Sequence, residues 1–179
     1  AERVVGFVRF DSDTPVALGT AQGTVKRIVP SSLPVRPDVE VIALKPRDSV
    51  VGAAEATDEH ELVFVTTDAQ LLRFSASAVR PQGAAAGGMA GIKLGGGASV
   101  LFFGAVASGA EAVVATVSGA ESLLPGTDPG RAKVTAFAEY PAKGRATGGV
   151  RAHAFLKGED RLTVARVGVA PAQAVDPTG

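Results

Sequence analysis

A module recurs three times along the chain: an aliphatic strand, a turn, a second strand carrying basic residues, a Gly/Pro stretch, and another aliphatic segment. The first copy reads PVALGT, then GTVKRIV (Gly23 to Val29), then VIAL and SVVGAAEA. The second reads LVFVTT, AQLLRF, GMAGIKL (Gly88 to Leu94) and SVLFFGAV. The third is looser, with AVVATV, AKVTAF and the long run from Lys143 to Val167. A period of roughly fifty residues suits a four-stranded propeller blade better than a two-helix repeat. The modules are read as residues 12–61, 62–111 and 112–170, with 1–11 as an entry strand and 171–179 as a tail.

The local patterns agree with an all-β chain. Twenty-two glycines and eleven prolines among 179 residues interrupt any long helix and suit short strands joined by turns. Gly23 can take positive φ between two β-rich runs, which predicts a hairpin from Val16 to Val29. The second copy has Ala69 where Gly23 stands, so its turn is expected to use Asp68 or a different loop. AVVATV, with three β-branched valines, reads as strand. In Arg3 to Phe10 the residues alternate, with Val4, Gly6, Val8 and Phe10 on one face, which predicts a strand apolar on both sides. Prolines 30, 34 and 37 put the segment after the first hairpin on the surface, and VRPQGAAAGGMAG and YPAKGRATGGV are its counterparts.

Composition narrows the function classes. Hydrophobic residues make up 46% and charged residues 20%, which describes a packed chain. No cysteine is present, so disulfides and thiolate metal sites are excluded. No apolar run is long enough to span a bilayer, and AERVVGFVRF lacks a signal-peptide layout, so a soluble, cytoplasmic chain is expected. Eighteen basic residues balance eighteen acidic ones. A nucleic-acid role therefore requires the charges to segregate.

An inventory of catalytic groups argues against an enzyme. His60 and His153 lie in different copies, neither at a metal-ligand spacing. His60 reads as a turn residue and His153 as a strand-surface residue. No G-x-S-x-G elbow occurs, and Ser118 reads as a turn serine. The glycine runs GGMAG and LGGGAS border IKL and SVLFFGA, which read as strands, so they are turn glycines and not phosphate loops.

The basic hairpins and glycine loops in this order resemble the C-terminal domain of the A-type subunit of bacterial type IIA topoisomerases, the group of gyrase and topoisomerase IV. The residues that carry the likeness are GTVKRI, Asp48 to Ala53, LVFVTTDAQLLRF, GMAGIKL, and Gly144 to Val167. The resemblance spans residues 12 to 170. It implies a β-pinwheel, a propeller-like array of four-stranded blades that exchange strands while DNA bends along a basic rim. It also implies that DNA cleavage, and the ATP and Mg that serve the whole topoisomerase, belong to other parts of that enzyme. No cofactor is expected in this chain. Tyr140, the only tyrosine, sits in AEYPAK and does not match the cleaving tyrosine's setting. The basic glycine box that marks strong wrapping has KGRATGG (Lys143 to Gly149) as its nearest relative, and QGAAAGGMAG carries no basic residue.

From the repeat and the resemblance, Lys26, Arg27, Arg73, Lys93, Lys143, Arg145 and Arg151 are the candidate DNA contacts. The expected partners are double-stranded DNA, the remainder of the A-type subunit, plus the ATPase subunit. No membrane or small-molecule substrate is expected, and the location is the nucleoid of a bacterial cytoplasm. The competing reading is a propeller-type protein-interaction module with no nucleic-acid role.

Overall fold

The computed structural model describes residues 3–9, 12–120 and 130–173. Eleven strands and three single-turn 3-10 helices occupy these residues, and no helix among them is long and apolar enough to cross a membrane. The strands form three antiparallel sheets.

The first sheet has the order β3 (Val50–Glu55), β1 (Val16–Thr20), β2 (Thr24–Ile28), β6 (Met89–Ala90). The second runs β10 (Val150–Arg151), β5 (Gln70–Ser75), β4 (His60–Thr66), β7 (Val100–Ala107). The third runs β11 (Arg161–Val169), β8 (Ala112–Gly119), β9 (Arg131–Ala136). Each of the first two sheets thus takes its fourth strand from the next module. Met89 pairs with Val25 and Val150 with Leu71 at matching register. Propeller-like blades with strand exchange are therefore present as expected. The third sheet has three strands among the described residues, and β9 is its edge.

The expected hairpin forms, with Val16 opposite Ile28 and Gly23 at φ 82°. Its counterpart keeps the same turn. Ala69 itself takes φ 61°, which leaves the expectation about Asp68 half right: Asp68 accepts a hydrogen bond from the Thr66 hydroxyl but does not supply the left-handed residue. Thr20 and Thr66 do the same work in both turns, each accepting from the backbone N–H four residues on at 3.0 Å. AVVATV is strand β8, as expected. His60 and Glu61, assigned above to the first module, belong to β4 of the second sheet.

Two local expectations fail. Residues 3–9 join no ladder among the described residues, and Phe10 lies outside them: a strand exists only where another pairs with its N–H and C=O groups. The segment is mostly exposed, and Gly6 rests on β3, where an added Cβ would meet Ala53 O at 3.0 Å. IKL is not a strand either, because the exchanged strand β6 comes just before it.

Two apolar cores join the sheets. Between the first and second lie Ala17, Val25, Leu62, Phe64, Leu72, Phe74, Ile92 and Phe103. Between the second and third lie Val63, Val65, Leu71, Val106, Val114, Phe137, Leu162 and Ala165. Close approach at the first seam depends on glycine: a Cβ on Gly19 would sit 2.1 Å from Phe103 Cγ. The inner strands β3, β7 and β11 lie side by side and, with Arg3 and Val5, line a cleft of about 540 Å³.

Candidate nucleic-acid interface

The seven candidate cations divide into two groups. Lys26, Arg27 and Arg73 point into the protein, while Lys93, Lys143, Arg145 and Arg151 lie on or beside the exchanged loops.

Lys26 is fully buried. Its ammonium donates to three carbonyls, Val41 O at 2.7 Å and Ala84 O and Ala86 O at 2.8 Å. Burial pushes its pKa below the ordinary lysine value, and the Glu40 carboxylate opposes that shift. A phosphate cannot reach it, so Lys26 is corrected from a DNA contact to a tie between its own module and the next module's loop. Buried polar groups must be paired, and this lysine satisfies three loop carbonyls at once.

Arg27 is 2% exposed, and its Nη1 donates to Ala76 O at 2.7 Å, Val79 O at 3.1 Å and Asp58 Oδ1 at 2.7 Å. Arg73 stands at the same position in the second sheet. Its Nη1 donates to Phe137 O at 3.2 Å and lies 3.4 Å from Glu61 Oε2, and its guanidinium sits 4.6 Å from the Phe137 ring centroid. Ala76 and Phe137 each begin a 3-10 turn of the following module. The recurring arginine is thus a clamp between neighbouring sheets, and both residues are corrected accordingly. Periodicity at this position reports the seam, not a rim.

The other four are accessible. The Lys143–Gly149 loop is pinned across the second seam. Lys143 N donates to Arg73 O at 3.0 Å, Ala146 N to Gly91 O at 2.7 Å, and Lys93 N to Thr147 O at 3.0 Å. Arg145 Nη1 donates to Ala90 O, and Lys143 Nζ to Gly149 O at 3.2 Å. These bonds hold Lys93, Lys143 and Arg145 at one place, next to Arg151 on β10. Lys93, Lys143 and Arg151 are exposed and Arg145 is half-buried. The equivalent loop of the first seam, Gln82–Gly88, has Gln82 donating to Arg27 O at 2.8 Å in the place of Lys143 and carries no charge.

Charge segregates by sequence as well as by position. No Asp or Glu occurs between Asp68 and Glu111, or between Glu139 and Glu159, and these stretches supply both exchanged loops. Arg80 and Lys157 lie in the same stretches and are exposed. They fall outside the repeated motifs, and Arg80 lies at the first seam, beside Pro81, which bridges to Arg27. The acid-free windows were the signal that would have found them.

The third module carries a buried polar cluster that the sequence did not suggest. His153, expected on a strand surface, is 2% exposed and occupies the place that Ile42 and Ile92 hold in the other copies. Its Nδ1 and the Thr116 hydroxyl are 2.8 Å apart, and its Nε2 is 3.1 Å from Arg131 Nη2. Arg131 must donate, so Nε2 is the acceptor and Nδ1 carries the proton to Thr116. Burial lowers the His153 pKa, the Arg131 and Lys133 charges lower it further, and Glu159 opposes them. Glu159 accepts the Leu156 N–H at 2.7 Å and Arg131 Nη2 at 3.2 Å. The Leu156 N–H is the main reason its pKa falls to about 2, with Ser118 and Arg131 adding to it against the cost of burial. His60 meets the Thr57 hydroxyl at 2.9 Å.

Comparison with known proteins agrees with this architecture. The family model described as DNA gyrase C-terminal domain, beta-propeller, matches residues 15–56, 60–107 and 123–167, one stretch for each module. The A-type subunit of DNA gyrase from Escherichia coli is 32% identical over 149 residues, which is 82% of this chain and 16% of that protein. Topoisomerase subunit TopoM of Mycolicibacterium smegmatis is 31% identical over 87% of this chain and 19% of its own length. The chain therefore spans less than a fifth of the length of these curated relatives. Among solved structures, the C-terminal domain of DNA topoisomerase IV superposes with a TM-score of 0.76 at 23% identity, covering 90% of this chain and 48% of that one. The E. coli ParC C-terminal domain gives 0.66 at 20% identity over 87% of this chain and 62% of its own. With all three modules matched in order and the sheets exchanging strands, the chain belongs to the DNA gyrase C-terminal domain, beta-propeller family.

Proposed function

We propose that this domain binds duplex DNA through its phosphates at the second seam and bends it for a type IIA topoisomerase. Lys93, Lys143, Arg145 and Arg151 make the contacts. The observation that carries this reading is the pinning of a basic, acid-free loop across the seam. Ordered loops hold cations in register at little entropic cost, and each phosphate contact releases counterions from the DNA even when the protein's net charge is zero. These loops offer few Asn or Gln side chains for base edges, so binding is independent of sequence. Bending twenty to thirty base pairs costs on the order of 1–6 kcal/mol, which a handful of phosphate contacts can offset for a modest bend. The first seam's Gln82–Gly88 loop carries no charge, which limits the bent arc to the second and third modules.

In this reading the chain performs no reaction. It positions DNA for strand passage by the rest of the A-type subunit together with an ATPase subunit, where ATP and Mg act, in the cytoplasm at the bacterial nucleoid. Filter binding of a short duplex across a salt series tests it. Affinity that falls steeply with salt supports the proposal. Undetectable binding at low salt, or binding insensitive to salt, refutes it and favours a protein-interaction module.

A further inference from the structure

The two seams are built alike but differ in polarity at matching positions. Ile92 of the second module belongs to the apolar core of the first seam, together with Val25, Phe64 and Phe103. His153 holds that place in the third module, buried at the second seam, and Thr116 on β8 stands where Phe64 stands on β4. The loop that crosses the first seam is uncharged, whereas the one that crosses the second bears Lys143 and Arg145 and leads into Arg151. The buried polar group and the basic loop thus occur at the same seam.

They are also joined covalently. Arg151 and His153 are two residues apart, and Ala152 between them is tied from both sides. Its N–H donates to Ala69 O of the second sheet at 2.8 Å, while its carbonyl accepts from Lys133 Nζ at 3.0 Å and from the Tyr140 hydroxyl at 3.4 Å. The exchanged strand β10 pairs with β5 at two positions alone, Val150 and Arg151, so the ties that follow it carry much of its anchoring. Neutral His153 completes them, with Nδ1 donating to Thr116 at 2.8 Å and Nε2 accepting from Arg131 at 3.1 Å. A charged ring has a donor on both nitrogens, and a guanidinium has no acceptor to offer. Protonation therefore turns the Arg131 contact into a meeting of two cations, with Lys133 on the same strand adding to the repulsion. Glu159 faces the ring from the following turn, but its carboxylate already accepts from the Leu156 N–H and from Arg131. Asp160 and Arg161, next along, line a pocket with Asp68, which accepts from the Thr66 hydroxyl. The Phe155 ring, 6.1 Å away, brings no charge.

We propose that His153 is a positioning residue for the DNA contact: neutral, it holds Arg151 against the second sheet, and protonated, it lets Arg151 go. This rests on the DNA reading given above. Burial and the charges of Arg131 and Lys133 favour the neutral ring near pH 7, so release is a response to acid. Losing one phosphate contact takes about 0.9 from the slope of log affinity against log salt, roughly an eightfold loss of affinity at about 0.1 M salt.

Nuclear magnetic resonance of the full chain, with the His153 signal assigned by its absence from His153→Gln, locates the pH at which the ring charges. That pH is expected below 6.5. A ring that stays neutral until the chain unfolds overturns the proposal. Affinity for a short duplex and its salt slope are then measured on either side of that pH, with far-UV circular dichroism reporting the fold at each. On the acid side the slope should be shallower by about 0.9. A slope that ignores pH, or that changes only as the circular dichroism signal is lost, overturns the proposal and leaves the DNA reading in place. Undetectable binding on both sides overturns the two together. The glutamine of His153→Gln can accept from Arg131 and donate to Thr116 without titrating, so its slope should be the same on both sides. A slope that still falls with acid in this variant counts against His153. Bound DNA supplies an independent sign. A polyanion ordinarily raises the pKa of a nearby histidine, whereas DNA that requires the neutral ring must lower it by linkage. Added duplex should move the His153 transition to lower pH, and a move to higher pH overturns the proposal.

Discussion

Arg27 reaches out of the first sheet and holds the carbonyl of Ala76, the first residue of the next module's 3-10 turn, at 2.7 Å. Arg73 repeats this contact on Phe137. The side chain is buried and its bonds have no water to replace them, so truncation strands two carbonyls in the seam. Arg27→Met should destabilise the protein by about 2–4 kcal/mol, measured by urea unfolding. DNA affinity of the folded variant should be unchanged, because the guanidinium never reaches the surface.

Gly149 sits at φ 77°, immediately before the exchanged strand β10, and a Cβ there would lie 2.4 Å from Leu71 O. Both the backbone conformation and the contact forbid a side chain. Gly149→Ala should cost about 2 kcal/mol or more and should raise amide exchange in β5 and β10 before it does so in the first sheet.

Neutralising the exposed cations should act on binding alone. Each phosphate contact contributes about 0.9 to the slope of log affinity against log salt. A variant with Lys93, Lys143 and Arg151 all changed to alanine should flatten that slope by up to about 2–3, with far-UV circular dichroism and the urea midpoint little altered. An unchanged slope would place the contacts elsewhere.

Acid should weaken the third module in two stages. The folded pKa of His153 is lowered, so below its ordinary value the unfolded chain binds a proton that the folded one refuses. Stability therefore falls as pH drops through 6.5 toward the folded value, and levels off beneath it. Glu159 titrates at about 2 when folded against 4.5 ordinarily, so its contribution is whole above 4.5 and drains away as pH falls through about 2. His153→Ile should remove the first stage and Glu159→Gln the second, each visible in denaturation midpoints across pH.

The repeat and its hairpins could be read from the chain because local turn chemistry and alternation determine them. Gly23, β8 and the glycine loops illustrate this. What could not be read was which sheet a strand joins. Exchange pairs residues from different modules, Val25 with Met89 and Leu71 with Val150, and no local pattern records such pairings. Burial of the cations was hidden for a related reason. TVKRI looks like a solvated basic strand until the next module's carbonyls are placed around it, whereupon Lys26 and Arg27 become interior residues. His153 misled in the same way, since its polar partners Thr116 and Arg131 come from strands far along the chain. Lys143 and Arg151 are exposed on the loop and strand that cross the second seam, and Arg145 is half-buried there.

Strand exchange also sets an order on biosynthesis. As the chain leaves the ribosome, the first sheet stays one strand short until Met89 and Ala90 emerge, and the second stays so until Val150. Each of the first two modules thus waits on its successor, and the nascent protein carries a migrating raw edge that is sealed only when synthesis has moved well past it.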